Sequence, residues 1–225
     1  MRRSVRFLFV FVVVLGLGLP AVAQRFPPPF EKPFDVKSLW PQLMKGNDLF
    51  ANGALPYTQL DVVRKASQSD QNPPVTVLAC SDSRVPPELV FGRGLDELFV
   101  IRAAGNVADT FGIASIEYAV AHHWTKVIVV LAHERCGAVT EALKKTDPPT
   151  PSLLALVTRI RKSFTGVDLG KKRDAVRPAI IANAKASADY LVAHSEVIRN
   201  AVRNKEVEIV VAYYGFGEGK VERIR

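Results

Sequence analysis

The 225-residue sequence predicts an α/β fold: a mainly parallel β-sheet flanked by helices, with an antiparallel strand at its C-terminal edge. Three observations predict it. The apolar runs at 75–79, 98–102 and 127–131 are short and rich in β-branched residues, as strands buried on both faces are. Helical patterns alternate with these runs, and such alternation brings successive strands into parallel register. Last, Gly215-Phe216-Gly217-Glu218-Gly219 turns the chain back after an apolar run at 206–214.

Taken in order, Met1-Arg2-Arg3-Ser4-Val5-Arg6 precedes a charge-free stretch and then Ala21-Val22-Ala23, the pattern of a secretory signal peptide cleaved after residue 23. The apolar stretch is about 13 residues, short of the roughly 20 that span a bilayer, so no membrane anchor is expected after cleavage. Residues 24–35, with Pro27-Pro28-Pro29 and Pro33, are expected to form a proline-rich arm, and 36–225 one domain without repeats. A helix is expected over 36–52, with Pro41 early and Gly53 at its end, and loop or weak helix over 59–70. The strand at 75–79 leads to a helical turn at 86–90 and the strand at 98–102. Asp109 or Thr110 caps a helix to about His123. After the strand at 127–131 come helices at 138–143, 153–164 and 175–204, the first two separated by Asp147-Pro148-Pro149-Thr150-Pro151. Strands at 206–214 and 220–224 close the chain.

Charge excludes little but narrows the partners. Loss of residues 1–23 removes three arginines and no acids, lowering the formal charge from +8 to +5. The densest basic cluster is Lys171-Lys172-Arg173, without interleaved aromatics, so no nucleic-acid surface is expected.

Chemistry concentrates at two strand ends. Cys80 opens Cys80-Ser81-Asp82-Ser83-Arg84 directly after the first strand, and His133-Glu134-Arg135-Cys136-Gly137 follows the third. Parallel neighbours ending on one sheet edge bring such distant residues to a single ion. Two thiolates and an imidazole suit zinc, and three protein ligands leave a position for water, as catalytic sites do. The structural rival is a Cys80–Cys136 disulfide in an exported protein, which leaves His133 and Asp82 at ligand-like spacing unexplained. Asp82 and Arg84 lie two apart, a spacing that in extended chain turns both to one side, where a guanidinium holds a carboxylate bidentately.

These motifs, with Phe99-Val100-Ile101-Arg102, Gly105-Asn106, Ala114-Ser115-Ile116-Glu117-Tyr118-Ala119 and the Ala212-Tyr213-Tyr214 ending, make the chain resemble the β-class carbonic anhydrases from residue 36 onward. The resemblance implies one Zn2+ per subunit on Cys80, His133 and Cys136, and hydroxide in the fourth position attacking carbon dioxide to give bicarbonate. It implies that Asp82, held by Arg84, orients that hydroxide, and that Asp82 itself ligates zinc in a closed state when the pair breaks. Gln71 and Gly137 are implied as donors to substrate oxygen, and Phe99, Ala104 and Tyr118 as the lining of a small apolar pocket. A homodimer or dimer of dimers is implied, with Gln71 acting across the interface. His122, one helical turn after Tyr118, is a candidate proton shuttle. Two thiolates neutralise more metal charge than imidazoles do, so mildly alkaline pH is expected to favour activity.

Ala132, Ala103 and Ala104 depart from common family residues and bear on pocket size, leaving every ligand in place. The expected function is reversible hydration of carbon dioxide in the periplasm. The alternatives are hydrolysis of carbon disulfide or carbonyl sulfide on the same scaffold, and a zinc or bicarbonate-binding protein without turnover.

Overall fold

A computed structural model describes residues 29–32, 34–54, 60–170 and 175–225. The signal peptide, half of the proline-rich arm and the Lys171-Lys172-Arg173 cluster lie outside the described residues.

Five strands form one sheet: β1 (Val75–Ala79), β2 (Leu98–Arg102), β3 (Val127–His133), β4 (Glu208–Tyr214) and β5 (Val221–Arg223). The spatial order is β2-β1-β3-β4-β5, parallel throughout except for the β4–β5 pair. Alternating side chains leave the central strands in opposite directions. Val77, Ala79, Val129 and Leu131 enter a core under α1 (Val36–Ala51), while Leu78, Val130 and Ala132 enter a larger one under the other helices. Every residue of β1 and β3 is consequently buried, which explains why their sequences are continuously apolar.

The helices on the larger face are α4 (Thr110–Ala121), α5 (Gly137–Ala142), α6 (Pro151–Lys162), α7 (Val176–His194) and α8 (Glu196–Arg203). Two short helices, α2 (Leu60–Ala66) and α3 (Pro87–Val90), flank β1 in sequence. Among the described residues, no helix is long and apolar enough to cross a membrane.

The structure corrects several boundaries. The single helix expected over 175–204 is broken at Ser195, whose extended backbone and Oγ, accepting from Ile198 N, cap α8. Ser195 also donates to Glu117 Oε1 at 2.6 Å, so a tertiary partner selects the break. Helix α6 starts at Pro151 and not at 153, because Thr150 caps it by accepting from Leu153 N. Strand β3 continues to His133 because its register with β4 runs on to the His133–Tyr214 pair. Of the weakly helical 59–70 segment, 60–66 is helix with every residue exposed.

Asn47 joins α1 to the far end of the chain. Its buried amide donates to Val90 O and Gly219 O and accepts from Val221 N, satisfying three backbone groups at once. Immediately before Asn47 in the chain lies Gly46, where a Cβ would stand 1.8 Å from the Phe91 carbonyl oxygen. Backbone cannot yield as a side chain does. Gly46→Ala is therefore expected to cost about 3 kcal/mol or more, read as a lowered midpoint in chemical denaturation.

The described part of the arm packs on its own chain. Phe30 is buried against α1, with the Arg93 guanidinium 3.9 Å above its ring, and Glu31 N donates to Gln42 Oε1.

Candidate metal centre

The strand register delivers the three sequence-predicted ligands to one point. Ala79, Arg102 and Leu131 stand level across the sheet, so Cys80 emerges one residue beyond β1 while His133 closes β3 two residues past that level. From His133 the chain reverses through Arg135, whose φ of 53° places a non-glycine residue in the left-handed region. Cys136 then begins α5 as its N-cap. The ligating atoms of Cys80, His133 and Cys136 all lie within 4.8 Å of one another, and all three residues are buried.

The imidazole is set for coordination. His133 Nδ1 bonds the Glu134 carbonyl at 2.8 Å, which requires the proton on Nδ1 and leaves the lone pair on Nε2. That Nε2 is buried without a hydrogen-bond partner. An orphaned acceptor facing two buried sulfurs is costly unless an ion sits between them, and this donor set suits zinc. Both cysteines are free thiols here.

A hydrogen bond joins the two buried thiols. The Cys136 thiol donating to Cys80 lowers the Cys80 thiol from its ordinary range, helped by backbone N–H groups including that of Gly105. The same hydrogen bond, with burial, pushes Cys136 well above the ordinary thiol range. Gly105 N–H donates to Cys80 Sγ from a 3-10 turn, Ala104–Asn106, absent from the sequence-based expectation. Gly105 has a φ of 65°, and a Cβ there would meet Ile160 Cδ1 at 2.9 Å. Asn183 holds the turn by donating to Gly105 O.

Asp82 and Arg84 form the expected fork. Arg84 Nε and Nη2 donate to the two carboxylate oxygens at 2.9 and 2.7 Å, and Arg84 N adds a third bond at 3.0 Å. Hydrogen bonding from the Arg84 side chain, foremost, holds the Asp82 carboxyl far below the usual carboxylate range. The clamp's contribution to folding is thus present above the ordinary value of about 4 and is lost as pH falls through the depressed one. Asp82 Oδ2 lies 3.9 Å from His133 Nε2, beside the metal position. Arg102 fixes the loop between them by donating to Cys80 O and Asp82 O.

Other expected residues fall elsewhere. Gln71 is exposed within one chain, and only its backbone N–H has a described bond, to Asp70 Oδ1. Gly137 opens α5 with free space where a Cβ would be. Ala104 belongs to the 3-10 turn beside Cys80. Phe99, Tyr118 and His122 meet in an aromatic cluster with Trp124, at centroid distances of 4.2 to 6.5 Å. His122 Nδ1 bonds Tyr118 O at 2.8 Å, and no described hydrogen bond links this cluster to the sulfurs.

Sequence reasoning missed Glu134 and Phe216. The Arg84 guanidinium lies 4.2 Å over the Phe216 ring, whose backbone N–H donates to Glu134 Oε2 at 2.9 Å. A large aromatic between two glycines of a turn was the available signal.

A three-donor Cys/His/Cys centre at the carboxyl edge of a parallel sheet, with an oriented carboxylate beside it, defines an α/β metalloenzyme. Comparison makes the class specific. A family model described as carbonic anhydrase matches residues 75–221. The carbonic anhydrase of Mycolicibacterium smegmatis is 33% identical over 189 residues, 81% of this chain and 90% of that protein. Carbonic anhydrase 2 of Mycobacterium tuberculosis is 39% identical over 112 residues, 49% of this chain and 54% of that protein. Among solved structures, the β-carbonic anhydrase CafA of Aspergillus fumigatus superposes with a TM-score of 0.67 at 25% identity, covering 83% of this chain and 90% of that one. A chain from two tetrameric β-carbonic anhydrases of Sordaria macrospora gives 0.64 at 22% identity, covering 83% and 97%. The chain belongs to the β-carbonic anhydrase family, whose members are lyases.

Proposed function

We propose that this chain is an exported zinc enzyme catalysing the reversible conversion of carbon dioxide and water to bicarbonate and a proton. The observation that carries the reading is the buried, unpartnered His133 Nε2 facing the Cys80 and Cys136 sulfurs, with clamped Asp82 alongside. Zinc held by these three residues supplies Lewis acidity that makes a water nucleophilic near neutral pH. The chain's own groups do the rest. Arg84 keeps Asp82 ionised and turned so that it accepts a hydrogen bond from the nucleophile and aims its lone pair at the substrate carbon. Gly105 N–H, donating to Cys80 Sγ, draws charge from one sulfur. Gln71 and the Gly137 N–H are assigned to substrate oxygen, and Phe99, Ala104 and Tyr118 to the apolar lining. Were the fork to open, Asp82 would be free to join Cys80, His133 and Cys136 in holding the ion.

Gln71 needs a second subunit to act, and the chain has surface suited to one. Strand β2 is an edge strand with Leu98, Phe99, Val100 and Ile101 only half-buried, and Leu60, Val62 and Val63 of α2 are exposed. A homodimer or dimer of dimers is the proposed assembly, in keeping with the tetrameric relatives of Sordaria macrospora. Export to the periplasm rests on residues 1–23, and intact-mass measurement of periplasmic material should begin the mature chain at Gln24.

Stopped-flow hydration of carbon dioxide, run with carbonyl sulfide and carbon disulfide in parallel and with zinc content measured, tests the reaction. Turnover of only the sulfur substrates, or of none at full zinc content, overturns it. The thiol pair yields a separate expectation. Since both sulfurs bind metal as thiolates and the hydrogen bond between them favours the Cys80 thiolate, zinc binding at neutral pH should release fewer than two protons. Calorimetry in buffers of differing ionisation enthalpy reads that number.

A further inference from the structure

The Asp82–Arg84 pair is exposed at its arginine end. The Arg84 side chain is 54% accessible, and a pair at such a surface competes with water and with the rotamer freedom of arginine. Geometry alone does not hold it. The guanidinium, however, does not hang free. Its carbon lies 4.2 Å from the centre of the Phe216 ring, whose negative face attracts a cation.

The ring is itself braced. Tyr214 meets Phe216 edge-on at 5.5 Å, and the His133 ring is 5.5 Å away on a tilted approach. The Phe216 N–H is held by Glu134 Oε2, and the carbonyl of that same Glu134 accepts a hydrogen bond from His133 Nδ1–H. One residue therefore orients the metal-binding imidazole through its backbone and the platform under Arg84 through its side chain.

We propose that Phe216 is a positioning residue whose ring face keeps Arg84 on Asp82, with Glu134 fixing the ring's place. The proposal rests on the reading of Asp82 and Arg84 as the orienting pair. Leucine at 216 fills similar space without a π face, whereas tyrosine keeps the face, so the two separate positioning from packing.

The test uses the full-length, zinc-loaded protein with Phe216→Leu, Phe216→Tyr and Arg84→Ala. Phe216→Leu should retain zinc and lower kcat about two- to fivefold with KM little changed. Its Arg84 Nε–H signal in nitrogen-15 spectra, assigned by its loss in Arg84→Ala, should exchange with water faster than in the wild type. Phe216→Tyr should restore both. An equally protected Nε–H in Phe216→Leu overturns the proposal, as does equal turnover of the leucine and tyrosine variants. Loss of zinc from Phe216→Leu also overturns it, because the ring would then act by supporting His133. Full turnover in Arg84→Ala overturns instead the orienting role of the pair, while the exchange comparison still decides whether the ring holds Arg84.

Discussion

Cys136→Ala is expected to purify with only a small fraction of the zinc carried by the wild type and to hydrate carbon dioxide at the uncatalysed rate. Removing one of three donors leaves Cys80 and His133, and two ligands rarely retain a metal that four-coordinate sites prefer. The loss is functional more than structural. Cys136 is buried at the head of a six-residue helix, so its deletion creates a modest cavity of about one sulfur, and the sheet does not depend on it. The variant should therefore keep its secondary structure while losing metal and turnover together. Metal analysis alongside stopped-flow hydration reads both, and a variant with full zinc content would remove Cys136 from the ligand set.

Arg84→Ala is expected to separate the two properties that Cys136→Ala loses together. Zinc should remain, since Arg84 touches none of the three donor atoms through a described hydrogen bond, whereas turnover should fall by about 10²–10³, as when one preorganised group is removed from an active site. Without its fork, Asp82 loses both side-chain bonds and is free to turn towards His133 Nε2, at present 3.9 Å from Oδ2. Arg84→Lys restores the charge but not the planar fork and should recover only part of the rate. Near-normal hydration by Arg84→Ala would sink the orienting role.

The parts of the site legible in the sequence are those written in rare residue types at strand ends. Cys80, His133 and Cys136 stand out because thiols and imidazoles are scarce and because the adjoining runs announce strands. The two-residue spacing of Asp82 and Arg84 likewise foretold a contact that forms locally. What stayed hidden depends on distant neighbours. The break at Ser195 exists because Glu117, 78 residues away, accepts its hydroxyl. The 3-10 turn that lends Gly105 N–H to Cys80 follows from closure over Ile160 and Asn183, and no local pattern encodes it. Phe216 is 132 positions from Arg84, and only the return of β4 beside β3 brings them together. Gln71 is the inverse case: its expected partner belongs to another copy, so a single chain leaves it in solvent.

The outermost strand carries a liability for a separated protomer. Residues 98–102 end the sheet with a row of unsatisfied amides and carbonyls beneath apolar side chains, and nearby Phe111 is 83% accessible. Such a margin is a template on which further strands add, and nothing in Leu98-Phe99-Val100-Ile101 blunts it with charge or proline. In the proposed assembly this margin would be covered, so substitutions that split it should yield precipitate and not well-behaved monomer, and self-association would protect this protein from aggregation.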